Sequence, residues 1–192
     1  MENKTALKIL DVAQDMVRNR GYSAFSYADI AAEVGIRKAS IHYHFASKDD
    51  LVRSLVQRYR ANMSRDCDWI SHYSERLDIR LMQFVGLYRD GLDKKQICLC
   101  AMLSADFAVL PEATKEEIQA FFQETETWLT ELLQKGESNR LWACRPSAQA
   151  EAKGLIALLQ GSQLIARSSA NPAETFDNIV RPLLAAKFSL QY

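Results

Sequence analysis

Between positions 37 and 44 the chain sets Arg37, Lys38, Ser40, His42, Tyr43 and His44 within a single short stretch. Guanidinium, ammonium, hydroxyl, imidazole and phenol groups at this density suit the recognition of phosphates and base edges. An enzyme would need a converging acid, base or nucleophile set, and the chain carries no Gly-rich phosphate loop, no HExxH and no GxSxG. Neither an enzyme nor a bound cofactor is expected. His42 and His44 stand two apart, a poor spacing for a metal pair on one helix face.

Such side chains can read DNA only if a helix presents them. Ser26 and Asp29 stand at capping-box spacing, with Asp where Glu or Gln is usual, before an apolar face of Ile30, Ala31 and Val34. Gly35 can take the positive φ of a sharp bend. A second helix beginning near Lys38 has Ile41 and Phe45 spaced to pack inward, which leaves the six polar residues exposed or at the rim.

The surrounding sequence predicts an all-α protein of about nine helices. Its 192 residues are 48% hydrophobic and 25% charged, with 7 glycines and 4 prolines. That balance builds a sizeable core, and strand-like alternation is hard to find. Ile9, Val12, Ala13, Met16 and Val17 mark a first helix. Ser47 can cap a helix from Lys48 to about residue 66, and Leu77 to Leu92 suggest another. Residues 97–110 read as one helix buried on most sides and ended by Pro111. A further helix runs from Glu112 until Gly136, taken as a C′ glycine, before a polar loop at 137–147. Two more follow, from about Ala148 to Ser168 and from about Pro172 to Phe188; Pro182 is expected to kink or divide the last.

Net charge is zero, yet residues 1–65 hold 11 Lys/Arg against 7 Asp/Glu, so the basic excess coincides with the helix-turn-helix. No apolar run reaches the roughly 18 residues of a membrane span, and no signal peptide is evident, so a cytoplasmic protein without a membrane partner is expected. Cys67, Cys98, Cys100 and Cys144 lack paired CxxC spacing and suggest no disulfide framework. Cys98 and Cys100 nevertheless raise an alternative, a thiol sensor of electrophiles or oxidants. Residues two apart on a helix diverge, and apolar surroundings blunt a thiol, so buried structural cysteines are the simpler reading. A helical adaptor without DNA binding is the remaining rival.

The stretch from Phe25 to Leu51, FSYADIAAEVGIRKASIHYHFASKDDL, resembles the DNA-binding signature of the TetR family of one-component bacterial repressors, and the resemblance spans roughly residues 5–58. It departs in having His42, Tyr43 and His44 before the Phe and Ala46 where Pro is frequent. The resemblance implies a DNA-binding domain at 1–47 and a ligand-binding and dimerisation domain at 48–192. It implies that Ser26 and Tyr27 contact a phosphate, that Arg37, Lys38, Ser40 and His42 face the major groove, and that Tyr43, His44 and Lys48 grip the backbone. Partners would be a palindromic operator in double-stranded DNA, a second copy of the chain and a small-molecule inducer. Small and apolar residues on the last two long helices make the expected homodimer face: Gly154, Leu155, Leu158, Gly161, Ser162, Ile165, Ile179, Leu183 and Leu184. Candidates for the inducer pocket are Phe84, Tyr88, Leu103, Phe107, Phe121, Trp128 and Ile156.

Overall fold

The computed structural model describes residues 4–188, and the elements below are those of the described residues. They are α1 (Lys4–Arg20), α2 (Tyr27–Val34), α3 (Lys38–His44), α4 (Lys48–Tyr73), α5 (Leu77–Arg89), α6 (Leu99–Ala105), α7 (Glu112–Ser138), α8 (Ala148–Arg167) and α9 (Pro172–Phe188), with 3-10 turns at Leu92–Lys94 and Phe107–Val109. The chain is all-α, as its periodicity predicts, and none of these helices is long and apolar enough to cross a membrane.

Contacts divide the chain into two compact units, one of residues up to Asn62 with Cys98–Phe121, the other of Met63–Ile97 with residues from Phe122 onward. In the first unit Ile9, Ala13 and Val17 of α1 meet full burial together with Ile30, Ile41, Leu51, Val52, Leu55 and Val56. Lys8 Nζ donates to Val34 O at 3.0 Å and Arg58 pairs with Asp11 at 2.8 Å, so α1 is tied to both α2 and α4. In the second unit Leu81, Phe84, Leu129, Leu133, Leu159, Phe176 and Val180 form the core. There Arg89 pairs with Asp177 at 3.0 Å, and Lys187 reaches the buried Glu151 at 2.6 Å.

Several boundaries differ from the sequence expectation, each for a packing reason. α4 continues to Tyr73 because Cys67 and Ile70 extend its buried stripe. Residues 97–110 are not one buried helix: α6 ends at Ala105, and Val109 is exposed. The Asp106 carboxylate accepts the Tyr22 N–H at 2.9 Å, and that bond holds the turn which ends α6. Gly136 lies inside α7 and does not terminate it; its role is to let the Trp142 ring lie against the helix. α9 runs through Pro182 unbroken, with Val180 and Leu184 buried on either side of it while the proline faces outward.

Candidate nucleic-acid interface

The α2 N-terminus carries the reciprocal cap that the sequence predicts. Asp29 N donates to Ser26 Oγ at 3.4 Å, and Ser26 N donates to the Asp29 carboxylate at 2.7 Å. The bonds from Ser26 hold the Asp29 carboxyl below the usual carboxylate range, a charge well placed at a helix start. Gly35 closes α2 at φ 78°, and its N–H donates to Ala31 O at 3.0 Å. A Cβ there would meet nothing within 4 Å, so the left-handed backbone, not space, demands glycine.

α3 then packs by Ile41 and, just past its end, Phe45, both buried. Arg37, Lys38, Ala39, His42 and Tyr43 point outward, Tyr43 with 83% of its surface exposed, while Ser40 and His44 are half-buried at the rim. His42 Nδ1 lies 3.2 Å from Ala46 O. A carbonyl only accepts, so Nδ1 is the donor in that contact. Ala39 belongs to the same face; its methyl is suited to a thymine methyl, and its position four residues before Tyr43 is the signal that would have included it.

Two expected contacts have other occupations. Tyr27 is buried, and its single hydroxyl proton is shared between the carbonyls of Phe45 and Ser47, at 3.0 Å to the former, while its ring meets His42 at 4.8 Å. It is a post between α2 and the end of α3, where a phosphate contact through the hydroxyl is blocked. Lys48 Nζ donates to Phe25 O at 2.7 Å and sits 4.2 Å over the Phe25 ring and 4.5 Å over the Tyr22 ring. Burial lowers its ammonium from the ordinary value although Asp49, Asp106 and Asp29 pull the other way. It therefore braces the α1–α2 turn against α4. Neither role is visible in the sequence, because the partners are backbone carbonyls 18 to 23 residues away.

Burial, followed by the neighbouring carboxylates Asp49 and Asp50, pushes the Tyr22 and Tyr27 phenols up to about 12 from 10.0. With folded values raised, their contribution to stability is complete below the unfolded value of 10 and is lost as pH rises through about 12. Denaturant midpoints should fall over that window, less steeply in Tyr27→Phe, which itself costs about 1–3 kcal/mol in lost hydrogen bonds. An equal slope in the variant would contradict the assignment.

The pocket candidates divide between the units. Leu103, Phe107 and Phe121 belong to the first, where Phe121 meets Tyr59 at 5.5 Å; Phe84, Tyr88, Trp128 and Ile156 belong to the second. Phe84 lies 5.3 Å from Tyr88 and 5.2 Å from Trp128, a ring cluster inside the second unit. An open cleft of about 640 Å³ beside Arg89, Asp177 and Arg181 is lined by none of the seven.

Of the residues expected at the homodimer face, Gly154, Gly161, Ile165 and Leu183 are exposed, Leu158 and Ile179 half-buried. Cβ atoms on the two glycines would meet nothing within 4 Å, so both face open space. Leu155, Ser162 and Leu184 are a correction: at 5%, 2% and 1% exposure they face the interior of their own unit. Leu164, 61% exposed and three residues after Gly161, joins the outward face in their place.

All four cysteines are free thiols and buried. Cys98 precedes α6 in an extended conformation, ψ 130°, so the divergence expected of two helical residues does not apply to this pair. Burial, and then the neighbouring Cys98, push the Cys100 thiol well above its usual range; burial pushes Cys67 to about 12.

The family described as "Bacterial regulatory proteins, tetR family" matches residues 9–55. The chain is 31% identical over 128 residues to the "Biofilm operon icaADBC HTH-type negative transcriptional regulator IcaR" of Staphylococcus epidermidis, a match covering 67% of this chain and 66%, just under two thirds, of that protein. A transcriptional regulator of the TetR family from Agrobacterium tumefaciens has a TM-score of 0.90 at 34% identity over 96% of this chain and 97% of that one. A TetR transcriptional regulator from Legionella pneumophila gives 0.86 at 30% identity over 97% of each chain. With such identity sustained along almost the whole length and the helix-turn-helix inside the matched segment, the chain belongs to the TetR family and is a DNA-binding transcriptional regulator, a class whose members typically repress.

Proposed function

We propose that this regulator is a repressor that binds a palindromic operator in double-stranded DNA as a homodimer and leaves it when a small-molecule inducer binds. Residues 1–47 act as the DNA-binding domain and 48–192 as the ligand-binding and dimerisation domain. The carrying observation is the outward face of α3, where Arg37, Lys38, His42 and Tyr43 stand clear of a core anchored by Ile41. In this reading Arg37, Lys38, Ser40 and His42 enter the major groove, and Ser26, Tyr43 and His44 meet the backbone.

One short helix reads few base pairs, so affinity and specificity require two copies on two half-sites. Gly154, Ala157, Gly161, Leu164, Ile165 and Leu183 supply a small and apolar outward face that suits a four-helix bundle across a two-fold axis. The inducer must bind the released arrangement better than the operator-bound one, since equal affinity shifts nothing. Thiol chemistry is not favoured as the trigger, because all four thiols are buried and burial raises Cys67, Cys100 and Cys144 above the usual thiol range.

Selection of duplexes from a random pool tests the reading: a palindrome should be enriched, with affinity that falls steeply with salt. Lys38→Ala should relax base preference at one position per half-site at a cost of about 1–3 kcal/mol, whereas Tyr43→Phe should weaken all duplexes alike. Equal loss across all sequences in Lys38→Ala would remove it from the groove, and no enrichment with the unaltered protein would overturn sequence-specific binding.

A further inference from the structure

The turn that leads from α1 into α2 is gripped by residues outside the helix-turn-helix. Gly21 bends the chain at φ 85°, and its N–H donates to Val17 O at 2.9 Å. Tyr22 comes next and is held at three points. Its N–H donates to the carboxylate of Asp106, just past the end of α6, at 2.9 Å. Its hydroxyl donates to Asp49, in the first turn of α4, at 2.5 Å. Its ring lies 4.5 Å from the Lys48 ammonium, which also sits 4.2 Å over Phe25 and donates to Phe25 O at 2.7 Å. All of these residues belong to the first compact unit.

One of the three grips differs in kind from the others. Lys48 and Asp49 follow α3 almost directly, so their contacts tie the entry of the helix-turn-helix to its own exit. Asp106 stands 84 residues beyond Tyr22 and ties the same entry to α6, which packs against α1. The fit there is close: a Cβ on Gly21 would stand 3.2 Å from Asp106 Oδ2 and 3.7 Å from Met102 Cε. Glycine thus takes the left-handed bend and also lets the carboxylate reach the turn. An ionised acceptor on a backbone N–H makes a stronger bond than a neutral pair does.

Reading an operator asks more of this turn than folding does. Burial of Ile9, Ala13, Ile30 and Ile41 keeps α1, α2 and α3 together. Two copies of α3 must in addition meet major grooves about 34 Å apart, or a multiple of that, with little error. A slight tilt at the entry of α2 is magnified at α3, which lies farther along the module.

We propose that Asp106 is a positioning residue for operator recognition: by holding the Tyr22 N–H it sets the tilt of α2 and α3, and with it the half-site spacing that the dimer accepts. This rests on the reading of a dimer on a palindrome. The outward face of α3 supplies base preference, and Asp106 supplies spacing preference by acting through Tyr22.

The test compares the full chain with Asp106→Ala and Asp106→Asn on the selected palindrome and on duplexes whose half-sites stand one base pair closer or farther apart. The unaltered protein should prefer its own spacing. Asp106→Ala should bind that spacing about tenfold more weakly, the worth of one hydrogen bond to a charged acceptor, and the other spacings as before. Asp106→Asn keeps an acceptor for the N–H and should keep the preference. Base preference within each half-site should be the same in all three proteins, which a general loss of structure would not allow. Amide hydrogen exchange reads the turn without DNA: in Asp106→Ala residues 22–44 should exchange about tenfold faster while α4 does not. Unchanged exchange, a spacing preference that survives Asp106→Ala, or Asp106→Asn behaving like Asp106→Ala would each overturn the proposal. Should the unaltered protein show no spacing preference while exchange at 22–44 still depends on Asp106, the hold on Tyr22 stands and the palindromic-dimer reading fails.

Discussion

Glutamate at both Ile165 and Leu183 will leave a folded monomer that no longer holds a palindromic duplex. The two side chains are 59% and 50% exposed, so neither supports the fold of its own protomer. Across a two-fold axis they would meet the same residues of a second copy, flanked by Leu164 and by the open backbones of Gly154 and Gly161. Four carboxylates would then be forced into an apolar contact. Anchors of that kind are worth 2 kcal/mol or more each, so dimer dissociation should rise by about a thousandfold, roughly 4 kcal/mol. Sedimentation reads the oligomeric state, and circular dichroism confirms that helix content is kept. A dimer persisting in the double variant would move the interface off α8 and α9. Leu184→Glu cannot serve as the test, since Leu184 is 1% exposed and a charge there would unfold the protomer.

Gly136→Ala should destabilise the protein by about 3 kcal/mol, the upper part of the usual range for overpacking. The sign is the informative part, because glycine to alanine inside a helix ordinarily stabilises by about 1 kcal/mol. Here an added Cβ would lie 1.9 Å from Trp142 Cζ2 and 2.0 Å from Cε2, well inside any real contact. The indole cannot step aside cheaply: Trp142 is buried, its Nε1 donates to Leu133 O at 2.9 Å, and its ring stacks edge-on against Phe188 at 5.5 Å. At about 2–4 °C per kcal/mol for a chain of this size, the melting temperature should drop by roughly 6–12 °C. With Trp142→Ala already present the same glycine substitution should cost nothing and should return its helix-propensity gain. A stabilised single variant would show that the ring has room to move.

The features legible in the sequence share one property, that their causes lie within a few residues. Ser26 and Asp29 cap each other three positions apart, Gly35 adopts the left-handed backbone that ends α2, and Ile41 and Phe45 turn inward at four-residue spacing. The exposed face of α3 follows from them, because a helix that buries one stripe must present the other. Features with distant causes were misread. Gly136 looks like a stop signal from its neighbours alone, but its function is to admit a ring six residues on, and Pro182 does not divide α9, which buried neighbours carry through it. Lys48 and Tyr27 carry the right chemistry for a phosphate, yet their polar atoms are held by the backbone of Phe25, Phe45 and Ser47.

The same division runs through α8 and α9. Small and apolar residues there were visible as a class, but Leu155 and Leu158, or Leu183 and Leu184, cannot be sorted by type, since each pair is leucine. Only the packing of each unit decides that Leu155 and Leu184 fill the interior while Leu183 faces outward. By itself the sequence determined the all-α fold, the helix-turn-helix and the side chains that α3 turns outward, because capping, turn conformation and helical period are local physics. The tertiary structure decided which polar groups remain available and which apolar ones remain uncovered, because burial and hydrogen-bond partnership depend on residues far away in the chain.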